Sequence, residues 1–193
     1  MNDAHVMKIA EEHAFLLKSF FDRSADDVAR VADRLIRTLR QGHKVLLFGN
    51  GGSAADAQHI AAELTNRFQL ERRGLPAIAL TTDTSALTSI ANDVGFDQIF
   101  ARQLDALGTK GDMAIAISTS GNSPNVVEGI RAAREREIET VGLLGRDGGR
   151  AREFVDHALV VGAEKSSRIQ EIHIVVGHVL CEAVEEALFQ PAE

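Results

Sequence analysis

Short apolar runs alternate with helical stretches from residue 44 onwards, whereas the first 41 residues carry helical patterning alone. That leading part reads as two helices. Ser24, with Asp27 three residues on, has the form of a capping box opening the second, Ala25 to Gln41, and Gly42 ends it. Lys44–Phe48, Ala77–Leu80, Met113–Ile117, Thr140–Leu144 and Ala158–Val161 read as buried strands. The stretches between them predict helices at about 53–68, 84–106, 123–136 and 148–154. Strands alternating with helices imply right-handed crossovers and a parallel sheet covered on both faces. A last helix, Ser166 to Leu188, carries Ile169, Ile172, Val176, Val179, Leu180 and Val184 around most of its circumference. A helix apolar on most sides is buried on most sides. One domain can hardly bury both this helix and the N-terminal pair, so a homo-oligomer with helices at its interface is expected.

The 193 residues suit a single domain, 1–193, made of the helical pair 1–41 and an α/β core 42–193. Hydrophobic residues at 45% and charged residues at 25% are ordinary for a globular protein. No apolar stretch reaches the roughly 18 residues of a membrane span, and the N-terminus has no secretory pattern. A single cysteine, Cys181, excludes an internal disulfide and suits a reducing cytoplasm. It reads as a small buried apolar residue. The net charge of −7 argues against nucleic acid as a main partner. A small anion remains compatible with that charge, because helix N-termini bind anions locally.

Both polar turns fall at the carboxyl edge of the expected sheet, where ligands of such folds sit. Gly49-Asn50-Gly51-Gly52-Ser53 follows the first strand. Its glycines permit a sharp turn and close approach of backbone N–H groups to a ligand. It is neither a Walker A loop nor a dinucleotide fingerprint. Ser118-Thr119-Ser120-Gly121-Asn122-Ser123 follows the third strand and packs four hydroxyls into six residues. Ser123-Pro124 then opens a helix with a cap and a proline in its first turn, which suits a phosphate.

His59 and Glu63 share one helix face just after the glycine turn. Three readings stand for them: metal ligands, an acid/base pair, or a surface pair. Gln170 and His173 share a face of the last helix, and His178 lies about 80° around from Gln170. His173 reads either as an orienting residue or as core. Asn92-Asp93 reads as a turn or cap before Gly95. Arg168 is placed to pair with acids at the start of the last helix, and Arg131–Arg136 reads as a solvated face.

Taken together, these segments resemble the sugar isomerase (SIS) domain family, and in particular its phosphoheptose isomerase branch. The resemblance rests on Gly49–Ser53, Gln58–Leu64, Ala91–Asp93, Ile117–Ser123 and Arg168–His173, and spans nearly the whole chain. It implies a flavodoxin-like α/β fold, a three-layer sandwich around a five-stranded parallel sheet, and a homotetramer with sites between subunits. It implies isomerisation of D-sedoheptulose 7-phosphate to D-glycero-D-manno-heptose 7-phosphate, the first step towards the heptose of bacterial surface polysaccharides such as lipopolysaccharide. By the same resemblance, Ser53, Ser118, Thr119, Ser120 and Ser123 take the phosphate and nearby hydroxyls. Asn50, Gly51, Gly52, Asn92 and Asp93 line the sugar site. His59, Glu63, Gln170 and His178 hold one zinc ion, and Glu63 and His178 are the acid/base pair. The rival reading is a non-catalytic SIS-domain tetramer that binds the bacterial replication initiator protein. The resemblance implies that such a protein lacks the acid matching Glu63 and the histidine matching His178.

Overall fold

The fully apolar strand runs do form a parallel sheet buried on both faces, as their patterning requires. The structure is a computed structural model that describes residues 2–190. Its strands β1 (Val45–Gly49), β2 (Ala77–Ala79), β3 (Met113–Ser118), β4 (Glu139–Gly145) and β5 (His157–Val161) lie in the order β2-β1-β3-β4-β5. Every pairing is parallel. Alternate residues of each strand face opposite cores. Val45, Leu47, Met113, Ile115 and Ile117 meet one helical layer, α1 (Asp3–Arg40), α2 (Gly52–Thr65) and α6 (Ser166–Phe189). Leu46, Phe48, Ala114 and Ala116 meet the other, α3 (Thr84–Asp93), α4 (Ala101–Leu107) and α5 (Pro124–Glu135). The strand order reverses direction between β1 and β3, and the carboxyl edge at that point opens a crevice between the two following loops.

The expected N-terminal helical pair is instead one helix of 38 residues. Ser24 and Asp27 lie in its interior. Phe20, Val28, Val31, Ala32, Leu35 and Leu39 form a buried stripe that runs past Ser24 without a change of face. Continuous burial of this kind outweighs the small local preference of a serine for a cap. Asn2 caps the helix, its side chain accepting from His5 N–H at 3.1 Å, and Gly42 adopts φ +82° just beyond the other end.

The helix expected over 84–106 is broken. Gly95 sits at φ +126°, outside helical space, and separates α3 from a 3₁₀ turn at Phe96–Gln98 and from α4. Likewise the helix expected over 148–154 is only a 3₁₀ turn, Arg150–Glu153, entered through Gly148 and Gly149 at positive φ. Helix α6 buries Ile169, Ile172, Val176, Leu180 and Val184 against α1 and α2, while Val179 is left exposed in the single chain. Its first turn is tied to α1: Arg168 pairs with Glu171, as the sequence suggests, and Glu171 also meets His13 Nδ1 at 2.8 Å. Among the described residues no helix is long and apolar enough to cross a membrane.

Candidate active site

Strands β1 and β3 are neighbours with Gly49 opposite Ile117, so the two polar turns emerge side by side. Gly51 takes φ +56° and forms the N-cap position of α2. Ser53 N–H then bonds Asn50 O at 3.0 Å, and the Ser53 side chain is buried. Asn50 and Asn125 exchange two amide hydrogen bonds, at 2.8 and 2.9 Å. That exchange bolts the glycine turn to the start of α5. Asn125 is a buried polar residue that sequence reasoning missed, since nothing in its local pattern marks it.

The second turn is shaped by its own hydroxyls. Ser118 is buried, and its Oγ accepts Gly121 N–H at 3.0 Å. Ser120 Oγ accepts Asn122 N–H at 3.1 Å. Asn122 Oδ1 and Gly121 O accept Arg150 and Ala151 N–H groups at 3.0 and 2.8 Å. Gly121, at φ +63°, lies where any Cβ would strike the Gly148 carbonyl. Thr119 and Ser166 hydroxyls meet at 3.4 Å, joining the turn to the first residue of α6. Ser123 occupies the N-cap of α5, but its hydroxyl makes no capping bond, contrary to the capped start expected. Val126 and Val127 N–H both bond Ser123 O at 3.0 Å and Pro124 has no N–H, so the Ser123 hydroxyl and the Asn125 N–H are what this helix start leaves for an anion.

Three of the four expected metal ligands meet. His59 Nε2 lies 3.1 Å from Glu63 Oε1 and 3.4 Å from His178 Nε2. Glu63 and His178, on α2 and α6, are thus joined through one imidazole. Zinc with bonds of about 2.0–2.1 Å spaces tetrahedral ligands about 3.3–3.4 Å apart, and nitrogen with carboxylate oxygen is a suitable donor set. Both observed separations are near that edge length, so the donors fit zinc. The side chains are not drawn around one point as they stand: among the described residues no cluster of three or more His, Cys, Asp or Glu is closed enough to hold a metal. Gln170 packs on Gly52, where a Cβ would come within 2.8 Å of the Gln170 Cδ. The absence of a side chain at Gly52 is what lets the carboxamide reach the glycine turn.

The remaining candidates separate. Asn92 and Asp93 are exposed at the end of α3 and bond each other at 2.7 Å, and no hydrogen bond joins them to the rest of the set among the described residues. His173 is core: 1% exposed, its Nε2 faces Leu144 O at 3.1 Å and its Nδ1 has no partner. Burial pushes its pKa down to about 4. Cys181 is buried and its thiol is pushed up to about 12, so it is unreactive. Asp56, one turn before His59, was overlooked. Its Oδ2 is buried without a partner, and burial raises its pKa against the opposing pull of His59. The signal was its position one turn along the same helix face as His59. A cavity of about 780 Å³ lies at the opposite, amino edge of the sheet, between Arg34, Arg37, Lys110, Arg134 and Glu139, away from all of these groups.

The SIS domain family matches residues 10–145. The phosphoheptose isomerase of Geobacter sulfurreducens is 58% identical over 165 residues, covering 86% of this chain and 87% of that protein. That of Aquifex aeolicus is 52% identical over 181 residues, with 94% and 95% covered. Among solved structures, phosphoheptose isomerase GmhA from Neisseria gonorrhoeae superposes with a TM-score of 0.90 at 41% identity, covering 95% of this chain and 98% of that one. A phosphoheptose isomerase from Francisella tularensis gives 0.89 at 34% identity, with 96% and 100% covered. Sequence, topology and the juxtaposition of the two turns agree, and the chain belongs to the phosphoheptose isomerase branch of the SIS domain family.

Proposed function

We propose that the chain isomerises D-sedoheptulose 7-phosphate to D-glycero-D-manno-heptose 7-phosphate through an enediol, with Glu63 and His178 as its acid/base pair. The observation that carries this reading is the convergence of Glu63, His59 and His178 from two helices distant in sequence. The phosphate is assigned to the turn after β3 and the start of α5, where the hydroxyls of Thr119, Ser120 and Ser123 lie near the Asn125 N–H. Ser118 and Ser53, being buried, act there mainly by shaping their turns. Holding the phosphate fixes the reacting carbons and supplies binding energy remote from the chemistry. Asn50, Gly51, Gly52 and Gln170 line the sugar. Asn92 and Asp93 join them only if a second copy of the chain brings them close.

Going from ketose to aldose removes a proton from C1 and returns one to C2, while a hydroxyl proton passes from O1 to O2. Only Oε1 of Glu63 faces His59, so Oε2 is free to take the C1 proton and deliver it to C2. His178 transfers the proton between the two oxygens. His59, Glu63, Gln170 and His178 would hold a zinc ion, which when bound polarises the carbonyl and stabilises the developing enediolate charge.

The oligomer is proposed to be a homotetramer. Val6, Met7, Ile9 and Phe15 on the first half of α1, with Val179 on α6, are exposed apolar residues that a second copy would cover. A cytoplasmic location and a role ahead of the heptose of surface polysaccharides complete the reading. The rival, a non-catalytic tetramer that binds a replication initiator, is disfavoured because Glu63 and His178 are both present. Purified protein assayed on sedoheptulose 7-phosphate beside fructose 6-phosphate tests the proposal. Turnover of the heptulose is expected to exceed that of the hexulose strongly. No turnover of either, with tight binding of an initiator protein, replaces the enzyme by the binding module.

A further inference from the structure

The loop between α2 and β2 contains a buried ion pair that no step above uses. Arg72 in this loop and Glu185 on α6 meet at 2.7 Å, with side chains 1% and 2% exposed. Glu185 also accepts the N–H groups of Phe68, Gln69 and Leu70, each at 2.8 Å. Burial opposes its charge, but these donors hold its carboxyl below the ordinary range. Arg72 turns its other nitrogens to the end of α2, donating to Glu63 O at 2.8 Å and Leu64 O at 3.0 Å. Those are last-turn carbonyls without helical partners, at the end of the helix that favours a cation.

The pair therefore ties two catalytic elements together. Glu185 follows His178 by seven residues, two turns along the same face of α6. Arg72 grips the backbone of Glu63 itself. The loop between them carries Phe68, whose ring stacks on His178 with centroids 5.4 Å apart and planes 27° from parallel. Phe68 and the neighbouring His59 ring, 5.1 Å from His178, leave that imidazole little freedom to rotate. A buried ion pair is a weak source of net stability, and its best-attested use is to fix geometry.

We propose that the Arg72–Glu185 pair and Phe68 form a positioning clamp that holds Glu63 and His178 in reacting register. The proposal rests on the catalytic reading of those two residues. Phe68→Leu keeps an apolar body against His178 and removes the ring. Its kcat on sedoheptulose 7-phosphate is expected to fall roughly tenfold or more, because small misplacements of reacting groups are costly. Its KM should stay within about twofold, since the phosphate and sugar contacts are elsewhere. Phe68→Tyr, which retains the ring, should recover most of the lost kcat. Arg72→Lys keeps the charge but loses the forked contact to the α2 carbonyls, and is expected to show the same split wherever circular dichroism finds it folded. Should Arg72→Lys fail to fold, Phe68→Leu and Phe68→Tyr decide alone. Unchanged kcat in Phe68→Leu, or a loss confined to KM, overturns the clamp. A Glu63→Gln control separates the two layers: full turnover in that control sinks the catalytic reading, whereas loss there with unchanged kcat in Phe68→Leu sinks only the clamp.

Discussion

Nε2 of His59 lies 3.4 Å from Nε2 of His178, although 119 residues separate the two in sequence. The contact exists because α2 and α6 pack on the same face of the sheet, and it gives Glu63 a neighbour on a second helix through its own bond to His59. An acid to move the carbon-bound proton and an imidazole to move the hydroxyl proton are what isomerisation through an enediol needs. Glu63→Gln keeps the shape and the hydrogen-bonding oxygen but removes the base. Turnover of sedoheptulose 7-phosphate should fall by roughly 10²–10⁴-fold, the usual contribution of a positioned general base. The thermal midpoint should move little, since Glu63 is partly exposed and makes no buried ion pair. An enzyme that retains turnover with glutamine at this position would require another base.

The zinc reading makes a prediction that does not depend on catalysis. The donors are preassembled as pairs, not as a closed shell, so ion binding should order them and favour the folded state by mass action. Added zinc is expected to raise the thermal midpoint of chelator-treated protein, and His59→Ala should lose that rise. Elemental analysis of the purified protein should find about one zinc per chain. Finding none, with no thermal shift and no effect of chelation on turnover, leaves Glu63 and His178 with proton transfer alone.

Much of the scaffold was legible because buried parallel strands read as unbroken apolar runs, and each of the five runs became a strand within two residues of its expected limits. The turn glycines were legible for a similar reason: Gly51 and Gly121 hold positive φ, which few other residues tolerate. The spacing of His59 and Glu63 announced a shared face directly. Other features depend on tertiary packing that no local pattern encodes. Ser24 and Asp27 fit a cap and a helix interior equally well, and only the buried stripe from Phe20 to Leu39 decides between them. The hydroxyls of Ser118 and Ser120 could be counted in sequence, but not their engagement by Gly121 and Asn122 N–H groups. Asn125 and Phe68 gain their meaning from partners 75 and 110 positions away.

Gly52 offers a separable test of Gln170. Its φ is not in the left-handed region, so alanine is tolerated by the backbone, but the added Cβ collides with the Gln170 carboxamide. The flexible end of that side chain must move, which should displace Gln170 without unfolding the protein. Gly52→Ala is expected to lower kcat/KM by roughly tenfold, in line with loss of one positioned polar contact. The effect of Gln170→Ala should largely vanish when made in the Gly52→Ala background, since interacting residues are not additive. Full additivity of the two substitutions would show that Gln170 acts independently of the glycine turn.

His173 should make stability depend on pH in the range between its unfolded and folded pKa values. It is buried as a neutral ring against Leu144 O, with a pKa pushed from 6.5 down to about 4. The unfolded chain therefore takes up a proton at this residue between those two values while the folded chain does not. Stability is intact above the unfolded pKa and falls as the pH drops from 6.5 towards 4, by about 3 kcal/mol at most. The carboxylates with lowered pKa values, Glu12, Asp105, Asp112 and Glu185, add their own losses only nearer the ordinary carboxylate range, below His173's upper limit. Urea midpoints measured at pH 7.5, 6.5, 5.5 and 5.0 should decline through this window. His173→Gln, which can keep a donor for Leu144 O but carries no titrating ring, should flatten the decline. A variant with the same slope as the parent protein would assign the acid sensitivity to another group.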